Sequence, residues 1–526
     1  MTINEQEKLV IELYNKNINN IIDFVDFKKD IFGRYKINPP QNSDILKIYN
    51  DLVSRNIIKK NYNFELLCKK HRVRTLSGVA VIAILTKPYK CPGNCAFCPT
   101  QEDMPKSYLS NEPAVMRAIE NEFDPKKQVE FRLKSLKNTG HDTSKIEIII
   151  MGGTWSYFDY EYKEYFIKSV FDALNGFDSD TLEESQINNE KSENRCVGLT
   201  LETRPDYINE KELIEMRKFG ATRIEIGVET IYDDVFELNK RGHFVKEVIE
   251  ATKLLKDTGF KVCYHLMPGL PGSSVKRDFE MFEKVYNDEK FCPDMVKIYP
   301  CVVTKNAEIY NWVKDGTYIP YSDSELMKLL IEIKKITPYW VRINRLIRDI
   351  PSTSIEYGNK IPNLREIIKR EMLKNGDSCN CIRCREIKEE IINKDDIKLF
   401  IDKYEASSGI EYFLSFENNE RTILYSFLRL RIPSYYFSKK EHFISDLDKC
   451  SIIREIHTYG RVTNFSEKEN KNTQHIGFGK NLIKEAEKIT LEYKIKKIAV
   501  ISGIGVKEYY KKNGFEKSGT YMIKNL

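Results

Sequence analysis

Between residues 76 and 350 the sequence alternates short Ile- and Val-rich runs with longer amphipathic ones, and this alternation limits the fold more than any other feature. The runs at 79–86, 146–151, 196–201, 223–228, 261–266 and 295–299 are bounded by Gly or Pro and read as strands. Segments such as 210–219 and 245–258 show three- and four-residue apolar steps and read as helices. Strands alternating with helices build βαβ units and a parallel sheet. Six such units suit a partial or full α/β barrel better than a flat doubly wound sheet. The polar run 179–194 breaks the alternation and is expected to be a surface excursion.

The flanking segments read differently. Residues 1–75 carry helical periodicity, interrupted at Pro39 and Pro40, with a second helical run at 45–58. Charge between 55 and 74 is lopsided: Arg55, Lys59, Lys60, Lys69, Lys70, Arg72 and Arg74 face the single acid Glu65. Composition favours a solvated helix face plus linker; the sharper reading is a phosphate-contacting patch. Residues 351–400 read as a linker. Residues 401–526 read as an α+β domain, with strands at 411–416, 422–430, 451–458 and 498–502 around a helix starting near Gly479. The chain of 526 residues is 41% apolar and 31% charged, which excludes wholesale disorder and collagen-like or coiled-coil architecture. Its net charge of +6 is too small to announce a nucleic-acid binder. The N-terminus is polar with no signal-type segment, and no apolar run is long enough to span a membrane. A cytoplasmic protein with reduced thiols is expected, so clustered cysteines point to metal rather than to disulfides.

Two cysteine triplets stand out. Cys91, Cys95 and Cys98 form C-x3-C-x2-C directly after the first expected strand. Three thiols on one loop leave a cluster iron open for a reactant, whereas a zinc knuckle would need a distant fourth ligand. The position beyond a barrel strand's C-terminal end favours catalysis. Cys379, Cys381 and Cys384 form C-x-C-x2-C, tight enough for one metal, with no fourth ligand identified. The other cysteines, Cys68, Cys196, Cys263, Cys292, Cys301 and Cys450, are isolated and read as small buried hydrophobes.

The first triplet resembles the radical S-adenosylmethionine (SAM) superfamily, in which three cysteines hold a [4Fe-4S] cluster and SAM chelates the fourth iron. Gly152, Gly153 and Thr154 match that superfamily's Gly-Gly segment, whose backbone approaches the SAM amino group. From about residue 65 onward the chain is similar to the Elongator catalytic-subunit family of tRNA wobble-uridine acetyltransferases. The matching stretches are E-T-R-P-D at 202–206, R-I-E-I-G-V-E-T at 223–230, N-K-R-G-H at 239–243, H-L-M-P-G-L-P at 265–271, K-I-Y-P at 297–300 and R-D-I-P at 348–351. The resemblance places Glu229 and Lys297 near SAM. Eukaryotic relatives have a longer first gap and Pro-Gly-Gly after the third cysteine; here Pro99 and Thr100 follow Cys98, so local loop contacts are expected to differ.

The C-terminal part resembles GCN5-related N-acetyltransferases. Gln474, Gly477, Phe478 and Gly479 match the Q-x-x-G-x-G segment that cradles the acetyl-CoA pyrophosphate at a helix N-terminus. The strand bearing Glu455, Ile456 and His457 corresponds to the one whose backbone pairs with acetyl-CoA. Tyr510 occupies the place of the tyrosine that meets the CoA sulfur, and aromatic packing is its plain alternative. Lys145, within a G-H-x-x-x-K segment, would contact acetyl-CoA from the barrel side; from sequence alone it is a surface lysine. The resemblance makes the second cysteine cluster a structural Zn2+ site, with a second iron–sulfur cluster as the competing reading.

The implied fold is a radical-SAM partial (β/α) barrel joined to a GCN5-related acetyltransferase domain, preceded by a helical basic segment. The implied reaction uses a SAM-derived radical to take hydrogen from the acetyl methyl of acetyl-CoA. The carbon radical adds to carbon 5 of the wobble uridine, and thioester hydrolysis leaves 5-carboxymethyluridine. The implied partners are tRNA through its anticodon stem-loop and an electron donor, with no membrane; a homodimer or larger assembly is left open. The rivals are a protein lysine acetyltransferase using the C-terminal domain alone and a non-catalytic tRNA-binding scaffold.

Overall fold

Seven parallel strands build the first sheet: β1 (Ala80–Leu85), β2 (Lys145–Met151), β3 (Arg195–Thr203), β4 (Arg223–Glu229), β5 (Lys261–Leu266), β6 (Met295–Ile298) and β7 (Arg342–Arg345). They lie in chain order, so every connection is a local crossover and the sheet curls into an open barrel. The computed structural model describes residues 4–18, 20–68, 78–387, 394–459 and 477–526. Among these, β1 and β7 do not pair, so the barrel is partial. The sequence pattern stops at six strands and misses β7, because Arg-Ile-Asn-Arg offers one apolar residue in four.

The helices pack outside the sheet. The helix Tyr160–Asn175 shows how: Asp159 caps it by accepting the Tyr162 N–H at 2.7 Å, and Gly176 ends it in the left-handed region at φ 83°. Its apolar face, Phe166, Ile167, Val170 and Phe171, is buried against Ile148, Ile150 and Leu201 in one core. The segment expected to be an excursion contains the helix Leu182–Asn189 and is tied down by polar contacts. Ser185 Oγ donates to buried Asp172 at 2.6 Å, and the Cys196 N–H donates to Asn189 Oδ1 at 2.8 Å. Polarity there serves buried hydrogen bonds, which a pattern of hydropathy cannot distinguish from exposure.

The second sheet contains β8 (Ile397–Ala406), β9 (Gly409–Asn418), β10 (Leu424–Ile432), β11 (Cys450–Thr458), β12 (Lys497–Val500), β13 (Glu516–Ser518) and β14 (Tyr521–Asn525), in the order β13-β14-β12-β11-β10-β9-β8. Only the β11–β12 pair is parallel. β8 begins inside the stretch read as linker; its charged, alternating residues fit an exposed edge strand. The helix Phe478–Glu492 covers the sheet with Leu482, Ile483, Ala486 and Ile489. Ile452, Ala499 and Tyr521 belong to the barrel core, so the two sheets share apolar packing.

Among the described residues, four helices precede the barrel: Glu5–Asn15, Ile21–Arg34, Asn42–Ser54 and Tyr62–Cys68. Arg55 pairs with Glu7 at 2.7 Å and Asp51 at 3.1 Å, so it is structurally engaged rather than part of an open basic patch. Lys59 and Lys60 are exposed, while Lys69, Lys70, Arg72 and Arg74 lie outside the described residues. The isolated cysteines Cys68, Cys196, Cys263, Cys292, Cys301 and Cys450 are all buried. No helix among the described residues is long and apolar enough to cross a membrane.

The second sheet's turn Ile504–Val506 docks on β3. A Cβ on Gly503 would lie 2.3 Å from Val197 O, and the Lys507–Glu190 pair at 2.7 Å flanks the contact. Gly503→Ala is therefore expected to push the domains apart locally at a cost of about 1–3 kcal/mol. A lower thermal midpoint with faster proteolysis between the domains would show this; an unchanged midpoint would contradict it.

Candidate active site

The cysteine loop follows β1 and is pinned by barrel backbone. The Ala96 N–H donates to Asn239 O at 3.0 Å and the Ile309 N–H to Ala96 O at 3.1 Å. Buried Arg241 donates from Nη1 to Cys95 Sγ at 3.4 Å, and Glu229 lies 3.6 Å from its Nη2. Arg204 is held in a fork by Asp206 at 2.9 Å and donates from Nη2 to Arg241 O at 2.9 Å. Its Nη1 is buried with no hydrogen-bond partner among the described residues, and a Cβ on Gly93 of the loop would fall 2.2 Å from it. A buried, unpaired guanidinium N–H beside three thiols suits an anionic group between them.

Gly152 and Gly153 follow β2 with φ of 128° and 105°. A Cβ on Gly152 would meet Thr86 Oγ1 at 2.1 Å, so glycine is required there by both space and conformation. Thr154 Oγ1 sits 3.8 Å from Cys91 Sγ, which brings this segment to the cysteine loop. The donor set, the orphaned Arg204 N–H and the glycine cradle all fit a [4Fe-4S] cluster carrying SAM.

Deeper in the barrel, charges interlock. Lys297 on β6 forms an ion pair with Glu225 on β4 and lies 3.4 Å from Glu202 on β3. His265 Nε2 meets Glu225 at 2.9 Å, and Tyr108 donates to Glu202 at 3.1 Å. Burial alone would raise Glu225, but Lys297 and the His265 hydrogen bond hold its carboxyl well below the usual range. Burial opposes the Lys297 charge, yet Glu225, Tyr299 and Glu202 keep its pKa raised. Glu229 ends β4 in the left-handed region at φ 66°; burial raises its pKa against the pull of Arg241. Such backbone strain is tolerated where the surroundings over-determine a side chain.

A cavity of about 1260 Å³ runs from Cys91, Cys95 and Cys98 past Lys297 to Cys384, Glu386 and Tyr459. Its far part is basic, with Arg345, Arg365, Lys369 and Arg383 on the wall. The sulfurs of Cys379, Cys381 and Cys384 lie within 4.8 Å of one another, and Lys334 Nζ is 3.6 Å from Cys384. Such spacing suits a single ion at ordinary Zn–S distances. The first triplet is not gathered that tightly, as a larger cluster requires.

The second sheet opens beside the cavity's far end. β11 pairs with β12 only from Cys450 to Ile453, then continues along β10 to Thr458, so that among the described residues its other edge is unpaired there and leaves a slot. The helix Phe478–Glu492 starts in the left-handed region at Gly477, φ 80°. A Cβ on Gly479 would meet the Tyr509 hydroxyl at 2.5 Å. Gln474 lies outside the described residues. Glu455 pairs with Arg429 at 2.9 Å, Ile456 packs toward the sheet's own core, and the His457 ring sits 4.3 Å from that of Tyr459. Tyr510 is buried between Tyr509 and Phe515; burial, then Tyr509 and Glu455, raise its hydroxyl pKa. Lys145 opens β2 beside Arg195, at the barrel end where Gly505 docks, and is away from the cysteine loop. Burial and Arg195 lower its pKa.

The residues that sequence reasoning left without roles are Arg204, Arg241, Glu225, His265 and Tyr108. Four of them sit inside the matched stretches, so the signal was present; only tertiary closeness assigns their partners.

Residues 86–285 match the model of the radical SAM superfamily and residues 293–374 that of the Radical_SAM C-terminal domain. The chain is 46% identical to the tRNA uridine(34) acetyltransferase of Methanocaldococcus jannaschii, over 94% of this chain and 92% of the relative. It belongs to this family. Elongator complex protein 3 of Homo sapiens is 38% identical over 100% of the chain and 97% of its own length. The solved structure of the archaeal Methanocaldococcus infernus Elp3 with an N-terminus deletion superposes with a TM-score of 0.75 at 43% identity, covering 85% of this chain and 99% of that one. Radical SAM membership implies a [4Fe-4S] cluster and SAM, and acetyl-CoA fits the acetyltransferase members.

Replacing Glu225 by Gln strands the Lys297 charge with Glu202 alone. The variant is expected to lose about 3–5 kcal/mol in denaturant unfolding. In the wild type, a depressed Glu225 contributes stability fully above about pH 4.3 and loses it as pH falls through the folded-state value. The variant's stability should therefore depend less on pH on the acid side; an identical acid profile would contradict the pairing.

Proposed function

We propose that the chain modifies carbon 5 of the wobble uridine, position 34, of tRNA, drawing the added carbons from acetyl-CoA. The supporting observation is a cavity that runs from the cysteine loop to Tyr459, the residue that follows β11. A radical site and an acetyl donor must share enclosed space if one reacts with the other before water or oxidant intervenes.

The proposed roles follow from position. Cys91, Cys95 and Cys98 hold the cluster, with Arg241 and Arg204 offsetting thiolate charge. Gly152, Gly153 and Thr154 let backbone approach the methionine part of SAM, while Glu229 and Lys297 lie on its barrel side. When bound, the cluster supplies the electron for reductive cleavage of SAM. The free edge of β11 at Glu455, Ile456 and His457 receives acetyl-CoA, the segment from Gln474 to Gly479 its pyrophosphate, and Tyr510 its sulfur. Lys145 contacts the same donor from the barrel side. Cys379, Cys381 and Cys384 hold Zn2+ as scaffold. Arg345, Arg365, Lys369 and Arg383 line the route for an RNA phosphate backbone, joined by the basic segment before the barrel. The regions 1–75 and 76–350 serve as tRNA contact and radical domain, 351–396 as metal-bearing linker, and the rest, which begins with β8 at Ile397, as acetyltransferase domain. A protein lysine acetyltransferase using the second sheet alone would give no role to the cysteine loop and glycine cradle of the barrel.

The test is anaerobic purification followed by assay with tRNA, acetyl-CoA, SAM and reductant. Wild type should yield modified uridine with no added protein substrate. Cys95→Ala should lose the iron of the first triplet and all modification while retaining zinc; Cys381→Ala should do the reverse for metal content. Modification that survives Cys95→Ala would refute the radical route. Tyr510→Phe should slow acetyl-CoA turnover on the order of a hundredfold, and unchanged turnover would remove Tyr510 from the active set.

A further inference from the structure

Where the two domains meet, a set of fully buried charges sits beside the apolar packing of Ile452, Ala499 and Tyr521. At its centre Arg454 donates to both oxygens of Asp294, from Nη1 to Oδ2 at 2.7 Å and from Nη2 to Oδ1 at 2.5 Å. The same guanidinium reaches Glu411 at 2.8 Å and the Phe260 carbonyl at 2.7 Å. Arg431 bridges Asp257 and Glu411 nearby, and Lys256 lies 3.7 Å from both Asp294 and Glu411. Side-chain exposure of Arg454, Asp294, Glu411 and Lys256 is 0%.

Such a network is a poor source of stability. Desolvating these groups costs nearly as much as their attraction returns, and apolar residues of like volume would often do as well. What a bidentate Arg–carboxylate pair supplies is geometry. Its two ends sit at telling places. Arg454 is the extra residue of a β-bulge, since Arg429 faces Glu455 while Leu430 faces Ile453. Bulges re-aim side chains, and this one immediately precedes Glu455–His457 on the free edge of β11. Asp294 immediately precedes β6, and its Oδ2 also accepts the Val262 N–H of β5 at 2.8 Å. β5 and β6 carry His265 and Lys297 into the radical site.

We propose that the Arg454–Asp294 pair is a positioning device that ties the acetyl-donor edge of β11 to β5 and β6, and so sets the separation between the acetyl methyl and the radical site. This inference rests on the functional reading above. Arg454 and Asp294 touch no reactant; they act through the strands they join. A displacement of an ångström between reacting groups lowers productive capture on the order of a hundredfold.

The experiment compares Arg454→Lys and Asp294→Asn with Arg431→Lys, which shares Glu411 with Arg454 but meets the barrel at Asp257, a helix end, rather than at β5 and β6. The readout is modified uridine formed per 5′-deoxyadenosine released, with acetyl-CoA affinity by calorimetry and amide exchange at Val262. The first two variants should lower the ratio about tenfold or more, keep acetyl-CoA affinity within about twofold, and speed Val262 exchange. Arg431→Lys should lose stability but keep the ratio. Asp294→Glu, which retains the charge but lengthens the link by one methylene, serves if loss of charge prevents folding, and it too should lower the ratio. A ratio unchanged in Arg454→Lys, Asp294→Asn or Asp294→Glu, or lowered equally in Arg431→Lys, would overturn the proposal. Wild type that forms no modified uridine would instead refute the functional reading.

Discussion

Because β7 stops short of β1, the outer edge of β1 and the polar residues of β7 border a cavity instead of pairing with each other. A closed barrel of this width fills with its own side chains and leaves no passage. Here Val81 and Ala83 of β1 and Arg342, Asn344 and Arg345 of β7 line open space. The cysteine loop lies at the C-terminal end of the strands and the second sheet docks near the opposite end, at Val197 and Arg195. The unclosed side is what allows the two to communicate.

That arrangement loads the barrel with charge. Glu225, Lys297, Glu202 and His265 occupy an interior that branched apolar residues would otherwise fill. Buried charges of this kind demand complete pairing, and each carboxylate here finds a cation or a hydrogen-bond donor. The same logic recurs between the domains, where Arg454 and Lys256 offset Asp294 and Glu411 out of solvent. Apolar packing holds the two sheets together through Ile452, Ala499 and Tyr521, and the ionic contacts cross the same interface.

Local features were legible in the sequence, and long-range ones were not. Six barrel strands announced themselves through Ile and Val, as did the cysteine loop and the Gly-Gly turn, because each depends on neighbours in sequence. β7 was hidden because its side chains face a polar cavity, and β8 because an edge strand keeps its charges. β13, Glu-Lys-Ser, carries no apolar signal at all. Arg431, Arg454, Asp294 and Glu411 look like surface residues in a linear reading; only folding removes them from water. Arg55 was misleading in the opposite sense, as a member of a basic run that the fold uses for the Glu7 and Asp51 pairs.

On the proposed function, the cysteine-loop site and the second domain act on one molecule of acetyl-CoA. The direct measurement is mass analysis of 5′-deoxyadenosine after anaerobic turnover with tRNA, SAM, reductant and acetyl-CoA deuterated in the acetyl methyl. Deuterium is expected in the 5′-deoxyadenosine, together with a labelled two-carbon addition on the wobble uridine. Unlabelled 5′-deoxyadenosine beside acetylated protein lysine would contradict it.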